Sequence, residues 1–365
     1  MPHFRGFIKD VTYQAQLTSL LDMYSLADFD INTAHSSGLI QAPSGVLSFS
    51  KWVSPKPTRS YPFERLYNTY NGQKIITIIP ILKDEGADGD RDFIAFKTFS
   101  WMSLLNIYVV LAYYSSATKR QGVKQKITNQ LFETDVVRQQ IIEITHYKQS
   151  ALHWNRTILE EKFVSTLLFA LQKYQEIALL TKVRIHGHSS KIDTLLEGLE
   201  SYKRVSLTAS RNAAIRETKV NHALEIADSS DKYVLEIENY LGGVYSLSPD
   251  GLIFEQNRWV IVESKNTTKG RLPQLSDIKD GLFKLILFSN LDRLECDGAK
   301  VDFTTRLQLS GNNIVGQLKM PCITELVEQF IANNQFVNTE KITLRNLNLE
   351  AQTNARLEIV VKSNG

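Results

Sequence analysis

Cysteine is almost missing from this 365-residue sequence, which holds only Cys296 and Cys322. Two cysteines exclude a disulfide framework and a four-cysteine zinc site, and they fit a reducing cytoplasm. Strong charge of one sign is also missing. Forty-two basic residues against 39 acidic ones leave a formal +3. Nucleic-acid contacts are therefore expected from local patches, not from a whole-molecule field. Long apolar runs are absent too. The most apolar stretch, Ile107 to Tyr114 with its neighbours (WMSLLNIYVVLAYY), includes Ser103 and Asn106. It falls short of the about 20 apolar residues that span a bilayer, and reads as a buried core helix. The first residues (MPHFRGFIKD) carry no basic-then-apolar signal pattern. A cytoplasmic protein with no membrane partner is expected. No G-x-S-x-G elbow, P-loop or G-x-G-x-x-G occurs, so serine hydrolases, P-loop NTPases and dinucleotide enzymes lose their usual support.

With 43 % hydrophobic and 22 % charged residues, the chain has a globular composition and enough length for two domains. Lys74 to Leu82 (KIITIIPIL) reads as a buried strand, and Phe99 to Ala117 as a largely buried helix. The basic stretch from Ala117 to Lys126 reads as a loop near a lobe boundary. Apolar residues recur at three- and four-residue spacing from Ile158 to Lys182, predicting an amphipathic helix. A second helical stretch runs from about Ala213 to Ala227. Tyr233 to Lys265 is strand-like, and Ser276 to Phe288 returns to helical period. The end of the chain (VDFTTRLQL, then RLEIVV) alternates like strands with one helix between. The order implies a mixed α/β protein, divided as residues 1–150, an N-terminal α+β lobe for DNA recognition or scaffolding, and residues 151–365.

The chemistry concentrates in Ser248 to Lys265 (SPDGLIFEQNRWVIVESK). Two short apolar runs flank the polar EQNR, predicting a β-hairpin closed by a two-residue Gln256-Asn257 turn or by the four-residue loop. Both choices set Phe254 opposite Trp259, Leu252 opposite Ile261, and Asp250 opposite Glu263. Directly opposed residues share a sheet face, with Cβ atoms roughly 4.5–5.5 Å apart. Lys265, two residues beyond Glu263, points to that same face. Two hard carboxylates beside an ammonium suit Mg²⁺, which one or two carboxylates and waters commonly hold. Such a site can polarise a phosphodiester and activate water, with Lys265 orienting that water or neutralising developing charge.

Pro249-Asp250, followed after twelve residues by Glu263-Ser264-Lys265, resembles the PD-(D/E)xK signature of the restriction-endonuclease-like nuclease superfamily. The resemblance implies a core with a central mixed sheet flanked by helices over residues 151–365. It also implies that Asp250 and Glu263 hold Mg²⁺, with Mn²⁺ as a substitute, and that Lys265 assists the water. Four acid-x-Lys triplets occur, at Glu160/Lys162, Glu217/Lys219, Glu263/Lys265 and Asp277/Lys279; only Glu263/Lys265 ends an apolar β run. A type II restriction endonuclease acting on double-stranded DNA as a homodimer is the expected member, with a cognate DNA methyltransferase as its companion. The competing expectations are a non-catalytic DNA-binding scaffold, or a repair or anti-phage nuclease acting on DNA or RNA.

Lys269 and Arg271, just past the catalytic strand, are candidate phosphate contacts, and Lys119, Arg120, Lys124 and Lys126 form a second basic cluster. Trp52, Tyr61, Tyr67 and Tyr70 either pack or stack. Glu236 ranks above Glu225 and Glu238 as a further carboxylate for the metal. The loop Asp84 to Asp92 fails as a calcium loop, because Gly86 and Ala95 stand where ligands belong. His146, His153, His186 and His188 have no neighbouring cysteine and no H-E-x-x-H helix, so solvated or structural roles are expected of them.

Overall fold

A computed structural model describes residues 3–17, 20–55, 66–197, 201, 235–239, 244–247 and 249–364. The chain divides into two compact units, Met1–Ser19 with Ser210–Gly365, and Leu20–Ala209. They are called the outer and the inserted unit below. Expected features at Tyr61, Ala213 to Ala227 and Glu225 lie outside the described residues.

The outer unit opens with β1 (Phe4–Ile8). The inserted unit then builds a five-stranded sheet in the order β2-β3-β4-β5-β8. Its strands are β2 (Met23–Ser25), β3 (Ser37–Ala42), β4 (Gly45–Lys51), β5 (Lys74–Pro80) and β8 (Ile107–Ala112). Between the last two come the short pair β6 (Leu82–Asp84) and β7 (Arg91–Phe93), and helix α1 (Phe96–Leu104). A hairpin of β9 (Tyr114–Lys119) and β10 (Ile127–Phe132) leads into α2 (Thr134–His146) and α3 (Ala151–Thr157). A π-turn (Ile158–Lys162), α4 (Phe163–Thr181) and α5 (Ser190–Leu196) follow.

Two expectations fail here for one reason. The apolar run read as a helix from Phe99 to Ala117 is helical only to Leu104 and then becomes β8. Asn106 takes a left-handed φ of 54° that ends the helical path. All six residues of β8 are buried. A strand buried on both faces shows no alternation, and its period cannot be told from that of a buried helix. The basic stretch after Ala117 likewise continues β9 to Lys119 before turning at residues 120–126.

β8 is also a sheet edge, and its outer backbone is satisfied by side chains. Gln140 on α2 accepts from Leu111 N–H (3.1 Å) and donates to Leu111 C=O (2.9 Å). Asn155 on α3 accepts from Val109 N–H (2.8 Å) and donates to Ile107 C=O (2.9 Å). The Trp154 indole donates to Val109 C=O (2.8 Å). Helices on both sides of residue 150 thus seal one strand, so the expected division there falls inside the inserted unit.

The outer unit resumes with β11 (Leu235–Asn239) and β12 (Val244–Leu247), then β13 (Gly251–Glu255) and β14 (Arg258–Asn266). Helix α6 (Leu275–Ser289) follows, then β15 (Arg293–Cys296), β16 (Ala299–Val301), β17 (Phe303–Gly311) and β18 (Gln317–Met320). Helices α7 (Thr324–Ala332) and α8 (Asn338–Thr353) and strand β19 (Leu357–Ser363) complete it. Two helices and a strand, not one helix, separate β17 from β19. The strands form two sheets, β12-β11-β1-β15-β16 and β13-β14-β17-β19-β18. In the second, β14, β17 and β19 run parallel, with antiparallel β13 and β18 at its edges. This is the mixed α/β class expected, with α6 lying along β14 and β17.

Candidate active site

The β13–β14 hairpin has the expected register. Phe254 pairs with Trp259 and Leu252 with Ile261. Its two-residue turn places Gln256 and Asn257 at φ 48° and 64°, the positive values a type I′ turn demands and Asn tolerates. The alternation of β14 then sends Glu263 and Lys265 toward α6 and Ser264 away from it.

Glu263 is fully buried (0 % exposed), and both of its oxygens accept from Lys284 Nζ at 3.0 Å. Burial pushes its carboxyl up to about 7, with the Asp250 charge adding to the rise and Lys284 and Lys265 opposing it. Lys265 donates to Asp280 Oδ2 at 2.7 Å. Burial works against its ammonium, but Asp280, Glu263 and Asp250 together hold its pKa above the ordinary lysine range. Asp250 is exposed, one residue ahead of β13, and its Oδ2 accepts from Ser264 N–H at 2.7 Å. The site therefore lies where β13 begins and β14 ends, with Asp250, Glu263 and Lys265 electrostatically coupled.

Asp280 and Lys284 were not singled out by the motif. Their signal was present: two charges four residues apart in a helix whose residues Ile278–Phe288 are otherwise buried around Lys284. Asp280 is 5 % exposed, and its Oδ1 is buried without a hydrogen-bond partner. Gly281 lets the helix come close, since a Cβ there would lie 2.8 Å from Leu307 Cδ1 and 3.3 Å from Lys265 Cε.

Lys269 and Arg271 sit in the loop after β14. Thr267 N–H bonds Ser310 C=O (3.0 Å) and Asn312 N–H bonds Gly270 C=O (2.9 Å), pinning that loop over the end of β17. A Cβ at Gly311 would fall 2.0 Å from Arg271 C=O, so only glycine admits the contact. Lys269 is exposed. Arg271 reaches Gln335 Oε1 at 3.4 Å, while its Nε is buried without a partner.

Glu236 lies on β11 of the other sheet, 3.6 Å from His3 Nε2, and Glu238 on the same strand pairs with Arg5. Lys119, Arg120, Lys124 and Lys126 belong to the β9–β10 hairpin of the inserted unit. His186 Nδ1 is 2.8 Å from buried Asp84, and His188 Nε2 is 2.5 Å from Asp193. Among the described residues, no group of three or more His, Cys, Asp and Glu side chains could hold a metal ion. Asp250 and Glu263 are the two-carboxylate set that suits Mg²⁺ with waters, so their donor chemistry fits that ion. No family model, curated protein or solved structure matches the chain.

Proposed function

We propose that the protein is a Mg²⁺-dependent endonuclease that hydrolyses phosphodiester bonds of double-stranded DNA, acting as a type II restriction enzyme. One observation carries this reading: Glu263 and Lys265 share the α6-facing side of β14, and Asp250 binds the intervening Ser264 backbone. The β13–β14 hairpin, the α6 crossover and the parallel return in β17 support a restriction-endonuclease-like core around it. Asp250 and Glu263 would hold the metal, which when bound supplies Lewis-acid polarisation of the phosphate and a more acidic water.

The chain's own groups do the rest. Asp280 fixes Lys265 so that its ammonium can orient the attacking water or stabilise charge developing on phosphorus. Lys284 holds Glu263 until a stronger cation takes its place. Lys269 and Arg271 supply backbone contacts along the DNA, and a two-fold homodimer suits a palindromic site.

The test is incubation of the purified protein with phage DNA and Mg²⁺, or Mn²⁺ in its place, and reading of the fragment ends. Defined fragments are expected. Asp250→Asn should abolish cleavage and keep DNA binding, and Lys265→Ala should bind DNA but cut at least about a hundredfold more slowly in single turnovers. Wild-type cutting by either variant removes that residue from the site. Failure to cut any nucleic acid with either metal leaves a DNA-binding scaffold.

A further inference from the structure

The inserted unit encloses a cavity of about 270 Å³ that the chemistry above does not use. At about 30 Å³ per water it has room for on the order of nine waters, enough for a phosphate with a group attached. Lys51, Lys83, Arg120 and Lys126 reach it from β4, β6 and the β9–β10 hairpin, and Glu85 is the one acidic side chain in its wall. Glu85 sits between Lys83 (3.0 Å) and Lys126 (2.7 Å). Burial alone would raise its carboxyl, but the hydrogen bonds and charges of those two lysines hold it below its ordinary range. It stays ionised and cancels one of the four positive charges.

The remaining three are fixed without being neutralised. The Lys51 ammonium donates to the carbonyls of Ile31 (2.8 Å) and Ala34 (2.6 Å), neutral groups that set its position and leave its charge. Lys83 and Lys126 each keep further donors beyond the one given to Glu85. Arg120, exposed where the hairpin turns, has no hydrogen-bond or ion-pair partner among the described residues. Ammonium and guanidinium donors arriving from three strands suit a tetrahedral, multiply charged oxyanion better than a planar carboxylate, which a single arginine fork already satisfies.

We propose that this pocket is a binding site for a phosphate group, free or esterified, independent of Asp250, Glu263 and Lys265. The basic cluster at residues 119–126 then divides by role. Arg120 and Lys126 serve the pocket, while Lys119 and Lys124 are exposed beside it.

Calorimetric titration of the full chain tests this, with pyrophosphate in one arm and a short single-stranded oligonucleotide without terminal phosphate in the other. Saturable pyrophosphate binding that weakens with added salt is expected. Arg120→Gln and Lys126→Gln should each weaken it at least about tenfold, and Lys148→Gln, an exposed lysine outside the pocket, should leave it unchanged. Arg120 is exposed and unpartnered, so its variant stays informative should Lys126→Gln fail to fold. An oligonucleotide that displaces pyrophosphate identifies a nucleic-acid backbone as the source of the phosphate; one that does not identifies a small phosphate compound. The proposal is overturned if neither probe saturates at millimolar concentration, if both pocket variants bind like the parent, or if Lys148→Gln weakens binding as much as they do.

Discussion

Glu263 is a carboxylate without solvent, held by a single lysine and raised to about 7 from a model value of 4.5. The folded protein therefore binds this proton more tightly than the unfolded chain does. Its stabilising contribution is full below 4.5 and is lost as pH rises through about 7. In metal-free buffer the melting temperature should fall between about pH 5 and about pH 8, by an equivalent of up to about 3 kcal/mol. Glu263→Gln should flatten that part of the profile, and added Mg²⁺ should offset the fall in the parent by selecting the ionised carboxylate. Parallel melting profiles for parent and variant would show that another group governs this range. Asp250, Glu263 and Lys265 were legible in the sequence because hairpin register and strand alternation are local rules. Asp280 and Lys284 were not, because which face of α6 meets β14 depends on packing between elements far apart in sequence.

At the scale of elements, β8 shows both what patterning reveals and what it hides. Its apolar content marked it as core, yet the same uniform burial removed the alternation that would have declared it a strand. Its edge is closed by Gln140 and Asn155, whose amides copy the donor and acceptor spacing of a neighbouring strand. Such a role leaves no pattern in sequence, since any amide on a helix looks like a surface residue. It does leave an energetic trace. Asn155→Leu keeps the side chain's bulk but strands Val109 N–H and Ile107 C=O in a buried site, at about 1–3 kcal/mol for each group left unpaired. Denaturant unfolding should show that loss, and the nearby exposed variant Gln149→Leu should not. A stability change below about 0.5 kcal/mol for Asn155→Leu would mean that another group takes over the edge. The β13–β14 hairpin is the opposite case, because its turn residues and its apolar runs point to the same register.

At the scale of the whole molecule, the expected division near residue 150 misplaced both boundaries, which fall after Ser19 and after Ala209. Composition could not reveal an insertion, because neither junction is marked by a low-complexity linker. The decisive fact is that β1 occupies the middle of its sheet, parallel to β11 on one side and antiparallel to β15 on the other. The segment that follows β1 is tied down as well, with Tyr13 donating to Glu350 (2.6 Å) and Gln14 N–H to Asn354 (2.8 Å). Residues 20–209 expressed alone should unfold cooperatively, with their own buried core. Residues 210–365 alone should not, and a peptide of residues 1–19 added in trans should restore a cooperative transition. A cooperative transition in the 210–365 fragment without the peptide would show that β1 is dispensable.

The central place of β1 also sets an order of events during translation. The strand leaves the ribosome first, yet neither of its sheet partners exists until the inserted unit has been synthesised. Over that interval the nascent chain trails a short apolar segment with two unpaired backbone edges, the kind of surface that recruits strands from neighbouring chains. Fast, independent folding of the inserted unit would keep the waiting strand tethered to a compact body instead of to a long unfolded chain. Yield in a cell should therefore respond more to defects in the inserted unit than their effect on the finished protein's stability alone would suggest.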